Sequence, residues 1–185
     1  MSVVGSKDPA ENNPLWHYCV TLYAAPGLKE WVLGLQDRLA IDVNFVLLAG
    51  WCGRHGVELS TDDWGHLNRI TAPLRCGLVA PLRRQRRRLE SRAPATVRHH
   101  LLQAELAAER ALYEQLWQWW CAAWPAPPVA ASTRVGALAA ANLSTLADFY
   151  GVPRFLGDER LTEAVDQRVR RQSARDSEGS DGLPF

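Results

Sequence analysis

The chain has 185 residues, of which 47% are hydrophobic, and a formal net charge of +1. This length and composition indicate one domain with a sizeable core and exclude a wholly disordered chain or a globally basic nucleic-acid binder. The longest apolar run, Phe45–Cys52, is too short for a membrane span, which needs about 20 residues. The polar residues 1–13 lack the apolar stretch of a secretory signal, so we expect a cytoplasmic protein.

Proline, glycine and capping residues divide the chain into predicted helices. Asn13-Pro14 predicts the start of the first helix, and Asp42 can cap a third helix that is apolar on every side and therefore belongs in the centre of a bundle. The segment Ser60–Asp63 has the pattern of a capping box, whereas Pro73 is expected to begin a new helix that Pro81 kinks. The predicted helices span about residues 14–24, 28–39, 43–52, 61–72, 73–90, 96–123 and 135–150.

The fold class that follows is all-α: a single-domain bundle of about seven or eight helices, without strand-like alternation. Helices 73–90 and 96–123 are expected to form a long antiparallel hairpin. We expect residues 1–12 and 173–185 to be disordered, residues 13–153 to form the bundle, and residues 154–172 to add a C-terminal helix.

The sharpest local feature is the arginine-rich part of helix 73–90. At about 100° per residue, its leucines share one narrow sector and its arginines fan across the rest, which predicts a cationic ridge. Such a ridge can dock nucleic acid, a ribosome, an acidic protein or a lipid surface. The alternative is a solvated face that is neutralised by the acids of residues 158–181. The candidate ridge residues are Arg83, Arg84, Arg86, Arg87 and Arg88.

Two asparagines lie on predicted core-facing helix surfaces, where an unpaired amide costs about 1–3 kcal/mol. These are Asn44 and Asn142, and Asp37 and Arg38 are near enough in the chain to pair with them, which favours a structural network that fixes helix register. The alternative hypothesis is a small polar pocket in the bundle. Its candidate lining residues are Asp37, Arg38, Asp42, Asn44 and Asn142.

We predict no metal and no cofactor. The cysteines have no metal-ligand spacing and are expected to be reduced core residues; they are Cys19, Cys52, Cys76 and Cys121. Glu105 and Glu109 lie four apart on the longest helix, but the Glu-x-x-His pair that di-metal bundles repeat is absent. We expect these two glutamates to pair with Arg98, with Arg110 or with another helix.

Eight tryptophans are present, and four crowd one end of the longest helix. Positions 117, 120 and 124 share a face that position 119 does not, so we expect some of the rings to be exposed or at an interface, such as a ligand pocket or a homodimer contact. The four are Trp117, Trp119, Trp120 and Trp124.

Several short motifs between about residues 13 and 150 resemble a family of small, uncharacterised, all-helical bacterial proteins. The motifs are Asn13-Pro14-Leu15-Trp16, Leu35-Gln36-Asp37-Arg38, Asp42-Val43-Asn44 and Ala141-Asn142-Leu143. The resemblance implies a helical cytoplasmic protein, and it implies no activity and no catalytic residues.

Phosphate-binding glycine loops and the sequence motifs of serine hydrolases and zinc proteases are absent. The leading hypothesis is therefore a non-enzymatic binding or regulatory protein that uses the arginine ridge as a contact surface. The alternative is an enzyme or small-ligand binder built around the polar pocket.

Overall fold

The structure, a computed structural model, describes residues 13–126, 128, 134–153, 162–164 and 167. Every regular element within these residues is helical, which confirms the all-α prediction. No helix in these ranges is both long enough and apolar enough to cross a membrane. The helices are α1 (Pro14–Tyr23), α2 (Leu28–Leu39), α3 (Val43–Arg54), α4 (Thr61–Leu74), α5 (Ala80–Leu89), α6 (Ala95–Ala123) and α7 (Val135–Tyr150).

Three predicted segments fall largely beyond this part of the chain. The expected disorder of residues 1–12 and 173–185 concerns residues outside the described ones. The same holds for most of the predicted helix 154–172, in which residues 162–164 and 167 are helical. The acids of residues 158–181 also lie outside, apart from Glu163.

Local capping signals place the helix ends where the sequence predicts them. The Asp42 side chain accepts a hydrogen bond from the Asn44 amide at 2.8 Å and starts α3. Ser60 and Asp63 form the predicted reciprocal box, because the Ser60 amide donates to the Asp63 carboxylate at 2.8 Å and the Asp63 amide donates to Ser60 Oγ at 3.2 Å. Gly151, with a φ of 63°, ends α7 in the left-handed conformation that favours glycine.

The prediction that Pro73 begins a new helix is wrong. Helix α4 continues through Pro73, and a π-helical segment, Arg75–Val79, leads directly into α5. Pro81 lacks the amide that would donate to the Gly77 carbonyl, and its ring crowds that carbonyl. The π turn, in which the Ala80 amide donates to the Arg75 carbonyl five residues back, directly precedes Pro81.

Contacts between residues group into two compact units. Of the described residues, 13–17 and 65–125 belong to the first unit, and 18–64 and those from 126 onward belong to the second.

In the second unit, α3 packs closely against α7. Every residue of α3 from Asn44 to Gly53 is buried, as its apolar composition predicts. A Cβ atom at Gly53 would lie only 2.5 Å from the backbone nitrogen of Ala139. Glycine is therefore required at this position for the two backbones to approach so closely.

In the first unit, α5 and the helical residues before it run beside α6. Hydrogen bonds join Arg98 to Glu90, Arg86 to Glu105 and Gln115 to Ile70. The partners pair in reverse order: as the position on α6 rises from 98 to 105 to 115, the position of its partner falls from 90 to 86 to 70. This is the order that the predicted antiparallel hairpin requires. The buried face of α6 follows the predicted period, whereas α5 has no buried residue. The buried residues of α6 are Glu105, Ala108, Leu112, Tyr113, Leu116 and Trp120.

Candidate functional site

The five candidate ridge arginines separate into an inner pair and an outer group of three. Arg83 and Arg86, one helical turn apart, are partly buried and bond to glutamates of α6. Arg84, Arg87 and Arg88 are exposed, and no described residue forms an ion pair with them. We call these three residues the arginine row.

The inner pair belongs to an ion-pair cluster of four residues on α5 and α6. Glu105 accepts from Arg83 Nε at 3.0 Å and from Arg86 Nε at 2.5 Å, and Glu109 accepts from Arg83 Nη2. The Glu105 side chain is only 5% exposed. The prediction that these glutamates pair with another helix is therefore confirmed, whereas Arg98 instead donates to the Glu90 carbonyl.

Burial and ion pairing shift the pKa values of Glu105 and Glu109 in opposite directions. Burial disfavours ionisation of Glu105, but the hydrogen bonds from Arg86 and Arg83 outweigh it and lower the pKa of Glu105. Burial dominates at Glu109 and, together with the nearby charge of Glu105, raises the pKa of Glu109, although Arg83 and Arg86 oppose this shift. Burial also opposes the charge of Arg83, yet its two glutamate partners raise the pKa of this guanidinium. Glu105 is therefore the charge that anchors α5.

We call the loop end of the hairpin, residues 84–104, the hairpin tip. None of its residues is buried. It contains six arginines, two histidines and a single acid, Glu90. The net charge of +1 for the whole chain thus hides a strongly cationic region.

A cleft of about 230 Å³ opens within the hairpin tip, and we call it the tip cleft. Arg98 Nη1 donates to the Glu90 carbonyl at 2.7 Å and links the two sides of the tip. The His100 ring lies edge-on to the His99 ring, with 5.8 Å between the ring centres. The cleft is lined by Arg86, Glu90, Arg98, His99 and Leu102. It therefore combines cationic, anionic, planar and apolar groups.

The candidate polar-pocket residues lie in three separate places. Asn142 is completely buried, and its amide donates to the Ala49 and Val57 carbonyls while its oxygen accepts from the Leu59 amide at 2.7 Å. All three hydrogen bonds are made with backbone groups, one within α3 at Ala49 and two in the loop after α3 at Val57 and Leu59. This is the arrangement of a residue that fixes helix packing.

The other members of the proposed pocket have different surroundings. Asn44 donates to Asp42 at 2.9 Å, within the cap of α3. Asp37 and Arg38 are exposed on α2, where Arg38 donates to the Gly34 carbonyl at 3.1 Å. The prediction that Asp37 and Arg38 pair with the two asparagines is therefore wrong, because both asparagines bond to other groups.

The tryptophans and cysteines are distributed unevenly between interior and surface. Trp120 is buried and the other three rings of the group are half-buried, which confirms that one face cannot hide all four. Cys19 and Cys52 are buried, but the prediction that all four cysteines are core residues is wrong for Cys76 and Cys121. Cys121 directly follows the last buried position of α6 and so lies about 100° away from its buried face.

Both halves of the ion-pair cluster are visible in the sequence, as the arginines of helix 73–90 and the glutamates of helix 96–123, but their pairing is not. The missing signal was the position of Glu105, an acid within the apolar stripe of α6. A buried acid needs a cationic partner, and a hairpin would place the arginines of α5 opposite it.

Comparison with known proteins identifies a family but no activity. The model of the family described as "Protein of unknown function (DUF2390)" matches residues 14–116, more than half of the chain. No curated protein and no solved structure matches the chain. The matched range contains α5, the arginine row and the tip cleft. The chain belongs to DUF2390, a family of proteins of unknown function.

Proposed function

We propose that this protein is a non-catalytic binding protein whose arginine row docks on the phosphate backbone of a nucleic acid. The observation that carries the proposal is the contrast within α5. Two of its arginines are held by glutamates, and the other three present their charges to solvent.

The spacing of the arginine row suits a chain of phosphates. Residues three and four apart on a helix are neighbours, with Cβ atoms about 5–6 Å apart. A DNA strand carries one charge per roughly 3.4 Å of helix axis, so the long side chains of Arg84, Arg87 and Arg88 can reach more than one phosphate of a strand that crosses this surface. Guanidinium groups bind phosphate oxygens in a bidentate manner.

The ion-pair cluster supports this docking by fixing the orientation of α5. Arg83 and Arg86 are tied to Glu105, so the remaining surface of the same helix, which carries the exposed arginine row, faces solvent before any ligand arrives. A preformed surface loses less conformational entropy on binding than a flexible one.

The hairpin tip fits phosphate better than an acidic protein. The anchors of protein interfaces are enriched in Trp, Tyr and Arg, and residues 84–104 contain arginines but no Phe, Tyr or Trp. The free thiols of Cys19, Cys52, Cys76 and Cys121 fit a reducing compartment, so we place this binding in the cytoplasm.

The test compares two triple variants that each remove three exposed positive charges. The first is Arg84→Gln, Arg87→Gln and Arg88→Gln, which leaves Arg83 and Arg86 in the ion-pair cluster. The matched control is Lys29→Gln, Arg38→Gln and Arg69→Gln, which are exposed positions elsewhere. Fluorescence anisotropy with RNA and DNA oligonucleotides is measured over a range of salt concentrations.

We expect the wild type and the control to bind with the same steep salt dependence. The arginine-row variant should bind more weakly, and the slope of log K against log salt should become shallower by about 2. Equal binding by the two triple variants would overturn the proposal. Binding of poly-glutamate without binding of either nucleic acid would also overturn it, in favour of an acidic protein partner.

A further inference from the structure

The tip cleft has a composition that phosphate docking alone does not explain. A carboxylate, Glu90, lines it together with Arg86 and Arg98, and it would repel a phosphate. We propose that the tip cleft holds one unpaired base of a single-stranded nucleic acid and prefers a base with an exocyclic amino group. This inference rests on the proposed function, because it names the class of nucleic acid that the arginine row would bind.

The walls of the cleft offer surfaces on which a base can stack. The guanidinium of Arg98 and the imidazole of His99 are planar, and bases stack on both kinds of group. Leu102 adds apolar surface and is 40% exposed. A base that enters the cleft would cover this side chain.

Glu90 supplies the polar group that can read the edge of the base. A carboxylate accepts hydrogen bonds, and glutamate commonly accepts from the amino group of cytosine. Uracil and thymine carry no exocyclic amino group. The cleft should therefore prefer cytosine to either of them.

The cleft and the arginine row are adjacent along α5. Glu90 follows Arg87 by three residues, so the two positions are neighbours on the helix surface. A strand whose phosphates lie on the row would have its bases within reach of the cleft. Bases in a duplex are paired and stacked, so only a single strand can place one there.

The test measures the affinities of oligonucleotides of about 12 nucleotides, within the usual site size for single strands. The probes are single-stranded oligo(C), oligo(U) and oligo(dT), and a mixed-sequence DNA as single strand and as duplex. The cleft variant is His99→Ala with Leu102→Ala. Its matched control, His66→Ala with Leu78→Ala, removes the same residue types from exposed positions outside the cleft.

We expect the wild type to prefer the single strand to the duplex, although phosphate docking alone favours the duplex because of its higher charge density. The cleft variant should lose about tenfold in single-strand affinity with an unchanged salt slope, whereas the control should bind as the wild type does. Glu90→Gln should reduce the preference for oligo(C) over oligo(U) and should not weaken the binding of oligo(U).

The inference and the proposed function fail in distinguishable ways. If single strand and duplex bind equally, or if the cleft variant equals its control, the base-binding cleft is overturned while the arginine row stands. If the wild type binds no nucleic acid, both proposals are overturned. Circular dichroism of each variant verifies that the helices are retained.

Discussion

Two helix pairs of this protein are held together by different forces. Helices α3 and α7 meet through apolar side chains and the fully buried amide of Asn142, and ten consecutive residues of α3 are buried. Helices α5 and α6 meet through the charges of the ion-pair cluster, and α5 buries no residue at all. The first pair is packed like a domain core, whereas the second leaves most of its side chains available to other molecules.

The difference shows how a helix can be both anchored and exposed. Apolar packing would consume one face of α5, and its short leucine edge provides little of it. The ion pairs instead fix α5 through Arg83 and Arg86, while the arginine row on the remaining surface stays in solvent. We therefore expect the two pairs to respond differently to substitution and to pH.

The largest expected effect is at the α3–α7 contact. Asn142→Ala removes three hydrogen bonds and leaves the Leu59 amide and the Ala49 and Val57 carbonyls buried without their partner. We expect the free energy of unfolding to fall by about 3–4 kcal/mol, measured by urea denaturation.

Asn142→Asp provides a near-isosteric comparison for this prediction. It keeps the acceptor for the Leu59 amide but places a carboxylate oxygen opposite two carbonyl groups. It should therefore lower the free energy of unfolding at least as much as Asn142→Ala does. A loss below about 1 kcal/mol for either variant would mean that the amide does not specify this contact.

A smaller effect is expected for the ion-pair cluster. Glu105→Gln removes the charge that holds Arg83 and Arg86, but both arginines retain access to water, with side chains 21% and 29% exposed. We expect the free energy of unfolding of this variant to fall by about 1–2 kcal/mol. Amide hydrogens of α5 in the variant should also exchange faster than those of α3.

Glu109→Gln serves as the internal comparison, since burial raises the pKa of Glu109 and its charge contributes less. It should cost less than Glu105→Gln. If the order of the two variants is reversed, Glu109 rather than Glu105 anchors α5.

The third effect appears only at acidic pH and concerns His55, the residue that ends α3. Burial, assisted by the charge of Arg54, lowers the pKa of His55 from 6.5 to about 4. The unfolded chain therefore takes up a proton on this residue below pH 6.5, while the folded chain does so only near pH 4. Stability should be full above pH 6.5 and should fall as the pH decreases towards 4.

Replacing His55 with Gln should flatten this decline, measured as unfolding free energy against pH. Glu105 acts in a lower range, because its pKa lies below 4.5 and its contribution is lost only as that carboxylate becomes protonated. An unchanged pH profile in the His55→Gln variant would show that another group controls acid sensitivity.

The sequence by itself determined the all-α class and most of the helix bounds. It also predicted the exposure of the arginine row, but it placed Arg83 and Arg86 on the same ridge, where the structure instead pairs them with Glu105. The class and the bounds depend on local signals: the caps at Asp42 and Ser60, the glycine at position 151, and the period of apolar residues along each helix. Such signals act within a few residues, so they can be read without knowing the fold.

Only the tertiary structure decided which polar residues meet. The partners of Arg83 lie more than twenty positions away, and those of Asn142 lie more than eighty positions away. Asp37 and Arg38 were plausible partners for Asn44 and Asn142 by proximity in the chain, yet the turn of α2 directs them to solvent. A side-chain pairing between helices depends on their relative placement, which no local pattern encodes.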